Sequence, residues 1–179
     1  LLLVNAATIV LVFAVGRRLL GAYSGAVAAV SFAILSLDRW VYGVFAHATH
    51  FVVLAALAAL WLLLSALESE RRVLYFWSGV LLGISVLMKQ HAIFFLPFAA
   101  AFAFWSDSRR GDASLTVLAK RLGAMALGIG LPLAVVAVAL VVQGVWGRFW
   151  FWTIRYGSAY VSEVPLSEAV PSLAQGFEA

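Results

Sequence analysis

Charged residues interrupt this chain at intervals instead of alternating with apolar ones. Stretches without a charged side chain cover residues 1–16, 19–37, 40–67, 73–88, 90–106 and 122–147. A membrane-spanning helix needs about 20 mostly apolar residues. Lipid leaves backbone N–H and C=O groups unsatisfied unless they pair within the segment, so helices are the plausible spanning form. A barrel would alternate apolar and polar positions, and these runs do not. The pattern predicts six spans, at roughly 1–16, 20–37, 50–67, 73–88, 91–105 and 122–143. The run 40–67 is too long for one simple span. Its first part, with Asp38, Arg39, His47, Thr49 and His50 in or beside it, is placed at an interface. The expected fold class is all-α, a polytopic transmembrane helix bundle.

Composition sharpens this picture. The chain is 65% hydrophobic and 11% charged, against about 45–50% and about 25% in soluble domains. Disorder, nucleic-acid binding and most soluble enzymes are excluded. The net charge of +4 therefore reads as topology. Arg17, Arg18, Arg71, Arg72, Arg109, Arg110, Lys120 and Arg121 fall on one set of connections, and Arg39, Lys89, Arg148 and Arg155 on the other. The richer set is cytoplasmic by the positive-inside rule, so the second set faces outward. The absence of cysteine removes disulfides, thiolate catalysis and cysteine zinc sites. The chain opens Leu1-Leu2-Leu3-Val4 with its arginines after the apolar stretch, unlike a secretory signal. It reads as an internal piece of a longer membrane protein.

Several features are expected to be structural. Gly79 and Gly83 form a G-x-x-x-G, and Gly123, Ala124, Gly128 and Gly130 a looser version; both suit close helix approach. Pro97 and Pro132 are expected to kink their spans. Trp40, Tyr42, Trp61, Tyr75, Trp77 and Trp105 suit an interfacial belt. Residues 68–72 and 106–121 read as solvated cytoplasmic turns.

Three clusters on the outward side carry candidate chemistry. Lys89-Gln90-His91 joins two apolar helices with almost no loop; its ammonium would meet a phosphate oxygen as a point charge, or simply snorkel. Arg39, His47 and His50 form the second cluster. The two histidines are three apart, so a helix would put them on one face. Interfacial hydrogen bonding suits them better than a metal site, since further ligands are not obvious. The third is Arg148-Phe149-Trp150-Phe151-Trp152-Thr153-Ile154-Arg155-Tyr156-Gly157-Ser158-Ala159-Tyr160, an amphipathic interfacial segment. It either anchors to lipid or offers arginine to a phosphate and an aromatic floor to a sugar. No serine triad, P-loop or dinucleotide fingerprint is present.

These features resemble the GT-C class of polytopic glycosyltransferases, in particular bacterial relatives of the dolichyl-phosphate-mannose protein mannosyltransferase family. The likeness is carried by Val4-Asn5 leading to Gly16-Arg17-Arg18-Leu19-Leu20-Gly21, by Ala46-His47-Ala48-Thr49-His50-Phe51, by Gly79 and Gly83 leading to Lys89-Gln90, and by Phe149-Trp150-Phe151-Trp152-Thr153 with Tyr156 and Tyr160. The resemblance implies an integral protein of the bacterial inner membrane that transfers a sugar from a polyprenyl-phosphate donor on the outer face. Residues 1–179 would be part of one such transferase domain. The implied catalytic Asp lies in a first external loop, expected before Leu1 together with the first span, so this piece alone is expected to be inactive. Relatives often carry Glu where this chain has Thr49. Lys89, Gln90, His91, Arg148, Arg155 and Tyr156 are the expected contacts to lipid phosphate and sugar, with Arg39, His47 and His50 as outer-face contributors. The class uses a divalent metal only in some members, so no cofactor is assigned. The acceptor and the sugar are not legible. The competing readings are a transporter or flippase, which would place ionisable groups at mid-membrane, and a non-catalytic assembly subunit.

Overall fold

The structure is a computed structural model that describes residues 1–38, 45–109, 114–157, 168 and 171. Among these the chain is helical, without strands. It divides into two compact units, Leu1–Ala134 and Val135–Ala179.

The first unit is a helix bundle. It contains α1 (Leu2–Leu20), α2 (Ala22–Leu35), α3 (Ala48–Ser69), α4 (Arg72–Met88), a short 3-10 turn (Gln90–Phe94), α5 (Phe95–Arg109) and most of α6 (Leu115–Val142). By length and composition, α1, α3 and α6 suffice to cross a membrane, while α2 and α4 are shorter apolar helices. Together with α5 they overlap the six predicted segments. The hinge between α1 and α2 is the single residue Gly21, with φ 94°, a conformation that glycine adopts without a Cβ penalty. Glu70 turns α3 into α4 in the left-handed region, with φ 57°.

The core forms around α3. Ala59, Leu63, Ala66 and Leu67 pack against Tyr75 and Leu82 of α4, Ala99 and Ala103 of α5 and Met125 of α6. Glycines allow α4 and α6 to touch backbone to backbone. A Cβ on Gly79 would collide with the Met125 carbonyl, and one on Gly128 with the Phe76 carbonyl. A Cβ on Gly83 would sit 2.5 Å from Ile129 O and 2.6 Å from Pro132 Cγ. The G-x-x-x-G reading holds for Gly79, Gly83 and Gly128. Gly123 and Gly130 face open space instead and take no part.

Three other expectations are corrected. Pro97 is the third residue of α5, in the first turn, where its missing N–H breaks no helical bond. Tyr75 is fully buried in the core, not in an interfacial belt. The arginine-rich connections are more than solvated turns. Asp107, 4% exposed, accepts a 2.7 Å hydrogen bond from Arg121, which also pairs with Glu70 at 3.3 Å. Arg18 forks onto Glu68, donates to Ser65 Oγ at 2.9 Å and lies over the Trp61 ring. These pairs bring the α1–α2, α3–α4 and α5–α6 connections to one end of the bundle.

The second unit contains the end of α6, a turn at Gly144 with φ 69°, α7 (Trp146–Trp150) and a π-helical turn (Phe151–Tyr156).

Candidate functional site

The end of the first unit opposite the arginine pairs is built by two helix termini. α4 stops at Met88 because Lys89 is extended, with φ −159° and ψ 130°. The Lys89 N–H still donates to Ser85 O, while its carbonyl accepts from Ala92 N of the 3-10 turn. Lys89 is thereby fixed at a corner between two helical pieces. α3 begins beside it. His47 is the N-cap, and its Nδ1 accepts from the Thr49 backbone N–H at 3.4 Å. This satisfies one of the first-turn donors that a helix leaves without an internal partner.

Thr49 joins the two. Lys89 Nζ donates to Thr49 Oγ1 at 3.2 Å, and Thr49 Oγ1 lies 2.8 Å from His47 Nδ1. With Nδ1 already accepting from the backbone, the Thr49 hydroxyl donates to it, and its lone pairs receive the ammonium. Lys89 is half-buried, and His47 and Thr49 are exposed. Among the described residues Lys89 pairs with no carboxylate. The first turn of α3 adds the partial positive charge of a helix N-terminus. An anion would therefore meet favourable potential here.

Two cavities flank this corner. An apolar one of about 270 Å³ lies between α3, α4 and α5, lined by Val53, Ala56, Leu60, Leu63, Leu82, Phe95 and Phe98 among others. Its polar lining residue, Ser78, commits its proton to the Ala59 carbonyl at 2.8 Å. Val53 stands one helical turn, about 6 Å, below Thr49. A smaller cavity of about 150 Å³ is lined by Thr8, Phe32, Leu35, Ser36, Thr49, His50 and Val53.

The structure thus brings Lys89 together with His47, and adds Thr49 as the link. His50 is placed differently from His47. It is buried, 8% exposed, in the first turn of α3, whereas His47 caps that helix from outside, so a shared helical face does not form. Gln90 and His91 are exposed residues of the 3-10 turn. Arg39 lies outside the described residues. Arg148, Arg155 and Tyr156 belong to the second unit, where all three are exposed. There Trp152 meets Phe151 and Tyr156 edge-on, with centroids 5.2 and 5.3 Å away. Sequence reasoning noted Thr49 as an interfacial polar residue and as a departure from a family pattern, not as a partner of Lys89. A hydroxyl contact between residues 40 positions apart leaves no local signal.

Neither a curated protein nor a solved structure matches the chain. Residues 1–142 match the family described as dolichyl-phosphate-mannose-protein mannosyltransferase. That match covers both helix termini that build the Lys89 corner and both cavities beside it. The chain belongs to this family of membrane glycosyltransferases.

Proposed function

We propose that the chain forms part of a glycosyltransferase domain that takes its sugar from a polyprenyl-phosphate donor, and that Lys89 meets the donor phosphate on the outward face of the bacterial inner membrane. The observation that carries this reading is a lysine ammonium held by a hydroxyl, with no carboxylate partner among the described residues, at the rim of a bundle whose apolar cavity begins about one turn below. An amphiphile with a phosphate head and an isoprenoid tail has that order of polar and apolar parts. The excess of Lys and Arg on the opposite connections supports the outward orientation.

The chemistry needs a stabilised leaving group. The acceptor hydroxyl oxygen attacks the anomeric carbon, the bond from that carbon to the phosphate oxygen breaks, and the polyprenyl phosphate departs carrying the bonding electron pair. The acceptor proton goes to a base, the role proposed for an acidic side chain of the full-length protein. Positive charge placed where negative charge grows lowers the barrier without reorganisation. Lys89 supplies that charge. Arg148, Arg155 and Tyr156 are proposed as further contacts to phosphate or sugar.

The test is sugar transfer by the full-length protein in proteoliposomes. Lys89→Ala is expected to abolish transfer while leaving membrane insertion intact. Normal transfer by this variant overturns the proposal.

A further inference from the structure

We infer that Thr49 is a positioning residue: its hydroxyl, oriented by the His47 ring, holds the Lys89 ammonium in the pose that receives the anion. This rests on the phosphate-binding reading of Lys89.

Lysine has a long flexible stem and loses more rotamer freedom on being fixed than most side chains. A lysine that is ordered before its ligand arrives gives up that freedom on folding instead of on binding. Two rigid elements do the ordering here. The extended backbone at Lys89 fixes the root of its side chain between α4 and the 3-10 turn. At the other end, Thr49 Oγ1 lies 3.2 Å from Nζ. Thr49 itself has little freedom, because its β-branch restricts χ1 in a helix and its hydroxyl lies 2.8 Å from His47 Nδ1. His47 is fixed in turn by accepting the Thr49 N–H as the cap of α3. Lys89 Nζ donates to Thr49 Oγ1, and Thr49 Oγ1 donates in turn to His47 Nδ1.

The choice of a hydroxyl matters. A carboxylate at position 49 would also hold the ammonium, but would neutralise the charge that an incoming phosphate needs. A neutral acceptor orients the ammonium and leaves its charge whole. It occupies one of three N–H donors and leaves two for the ligand.

The experiment measures binding of polyprenyl phosphate, and of the matching polyprenol, to the full-length protein in nanodiscs of neutral lipid. Lys89→Ala is expected to remove the preference for the phosphate over the alcohol. Thr49→Val, which keeps the shape and removes the hydroxyl, is expected to weaken phosphate binding about three- to tenfold, the worth of one hydrogen bond. Its polyprenol binding should stay unchanged. Thr49→Ser is expected to restore phosphate binding to within about twofold of the parent. His47→Asn, which keeps a capping acceptor, should also bind better than His47→Ala.

The outcomes separate the two claims. An unchanged phosphate preference in Lys89→Ala overturns the functional reading and this inference with it. A lost preference in Lys89→Ala beside parental binding in Thr49→Val overturns the positioning role alone. Equal loss in Thr49→Val and Thr49→Ser, or equal loss for phosphate and polyprenol, assigns Thr49 to packing and also overturns it.

Discussion

An alanine at Gly128 should destabilise the protein, while an alanine two residues later, at Gly130, should stabilise it. The two positions share a helix and a substitution, so propensity contributes equally to both. In a helix interior Gly→Ala is worth about 1 kcal/mol in favour of alanine. At Gly130 the new methyl meets nothing within 4 Å, so most of that gain should survive, about 0.5–1 kcal/mol. At Gly128 the methyl collides with the Phe76 carbonyl and sits 3.0 Å from Val80 N. Both are backbone atoms of α4 and have no rotamer to retreat into. Ordinary carbon contacts lie at about 3.5–4.0 Å, so α4 and α6 must separate by at least half an ångström. Overpacking of this kind costs about 1–3 kcal/mol, at the upper end where backbone must move. Subtracting the propensity gain leaves a net loss of about 1–2 kcal/mol. The two variants should therefore differ by about 2 kcal/mol. Reversible unfolding of the purified protein in mixed micelles, followed by helicity, measures the difference. Equal stability of the two variants, or a Gly128→Ala protein at least as stable as its parent, refutes close packing of α4 on α6.

Other outcomes follow from the same geometry. Asp107→Ala should cost about 1–3 kcal/mol, because it leaves the shielded Arg121 guanidinium with the exposed Glu70 as its remaining carboxylate partner. A combined Asp107→Leu, Arg121→Met protein should recover most of that loss in the same unfolding assay. Arg18→Lys should cost less than about 1 kcal/mol and lose its effect at about 1 M salt, since Glu68 is mostly exposed and such pairs are screened. Ala56→Leu places bulk in the apolar cavity; it should raise KM for a long-chain polyprenyl donor severalfold and leave a two-isoprene analogue unaffected, read as initial rates of transfer. Equal effects on both donors would place the chain elsewhere.

Much of the fold was legible because the physics behind it is local. Lipid demands long apolar runs, and six such runs correspond to six helical segments, with α6 beginning seven residues before its predicted span, at Leu115. Gly79 and Gly83 announced a close approach by their spacing alone. Their partner was less visible. Gly123, Gly128 and Gly130 are chemically identical in sequence, and only the crossing of α6 over α4 decides that Gly128 faces Phe76. The misreadings share this cause. Tyr75 sits near a span end, as an interfacial tyrosine would, yet α3, α4 and α6 close over it. Asp107 and Arg121 looked solvated because charges beside a connection usually are. Their burial depends on a 14-residue separation closing into one pair. Of the site, Lys89 stood out as a lone cation between two apolar segments. Thr49 did not, because a threonine at a helix start is ordinary until the lysine opposite it is seen.

The two ends of the first unit use the same chemistry to opposite purposes. At one end Arg18 meets Glu68, and Arg121 meets Asp107 and Glu70. Each arginine ties together helices that a purely apolar interface would let slide, because apolar surface in lipid has no preferred register. Positive charge there is consumed in holding the bundle together. At the other end the packing between α3 and α4 already fixes the positions of Thr49 and Lys89. A carboxylate is not needed for register, and a hydroxyl suffices to aim the ammonium. The charge stays available to something outside the chain. Adding an acid at this end, as in Thr49→Asp, should therefore raise stability slightly, by less than about 1 kcal/mol for a pair this exposed, while lowering affinity for polyprenyl phosphate more than Thr49→Val does. Thr49→Val lowers only the order of the ammonium, whereas Thr49→Asp also cancels its charge. A Thr49→Asp protein that binds the phosphate as well as Thr49→Val would mean that the free charge of Lys89 is not what the ligand meets.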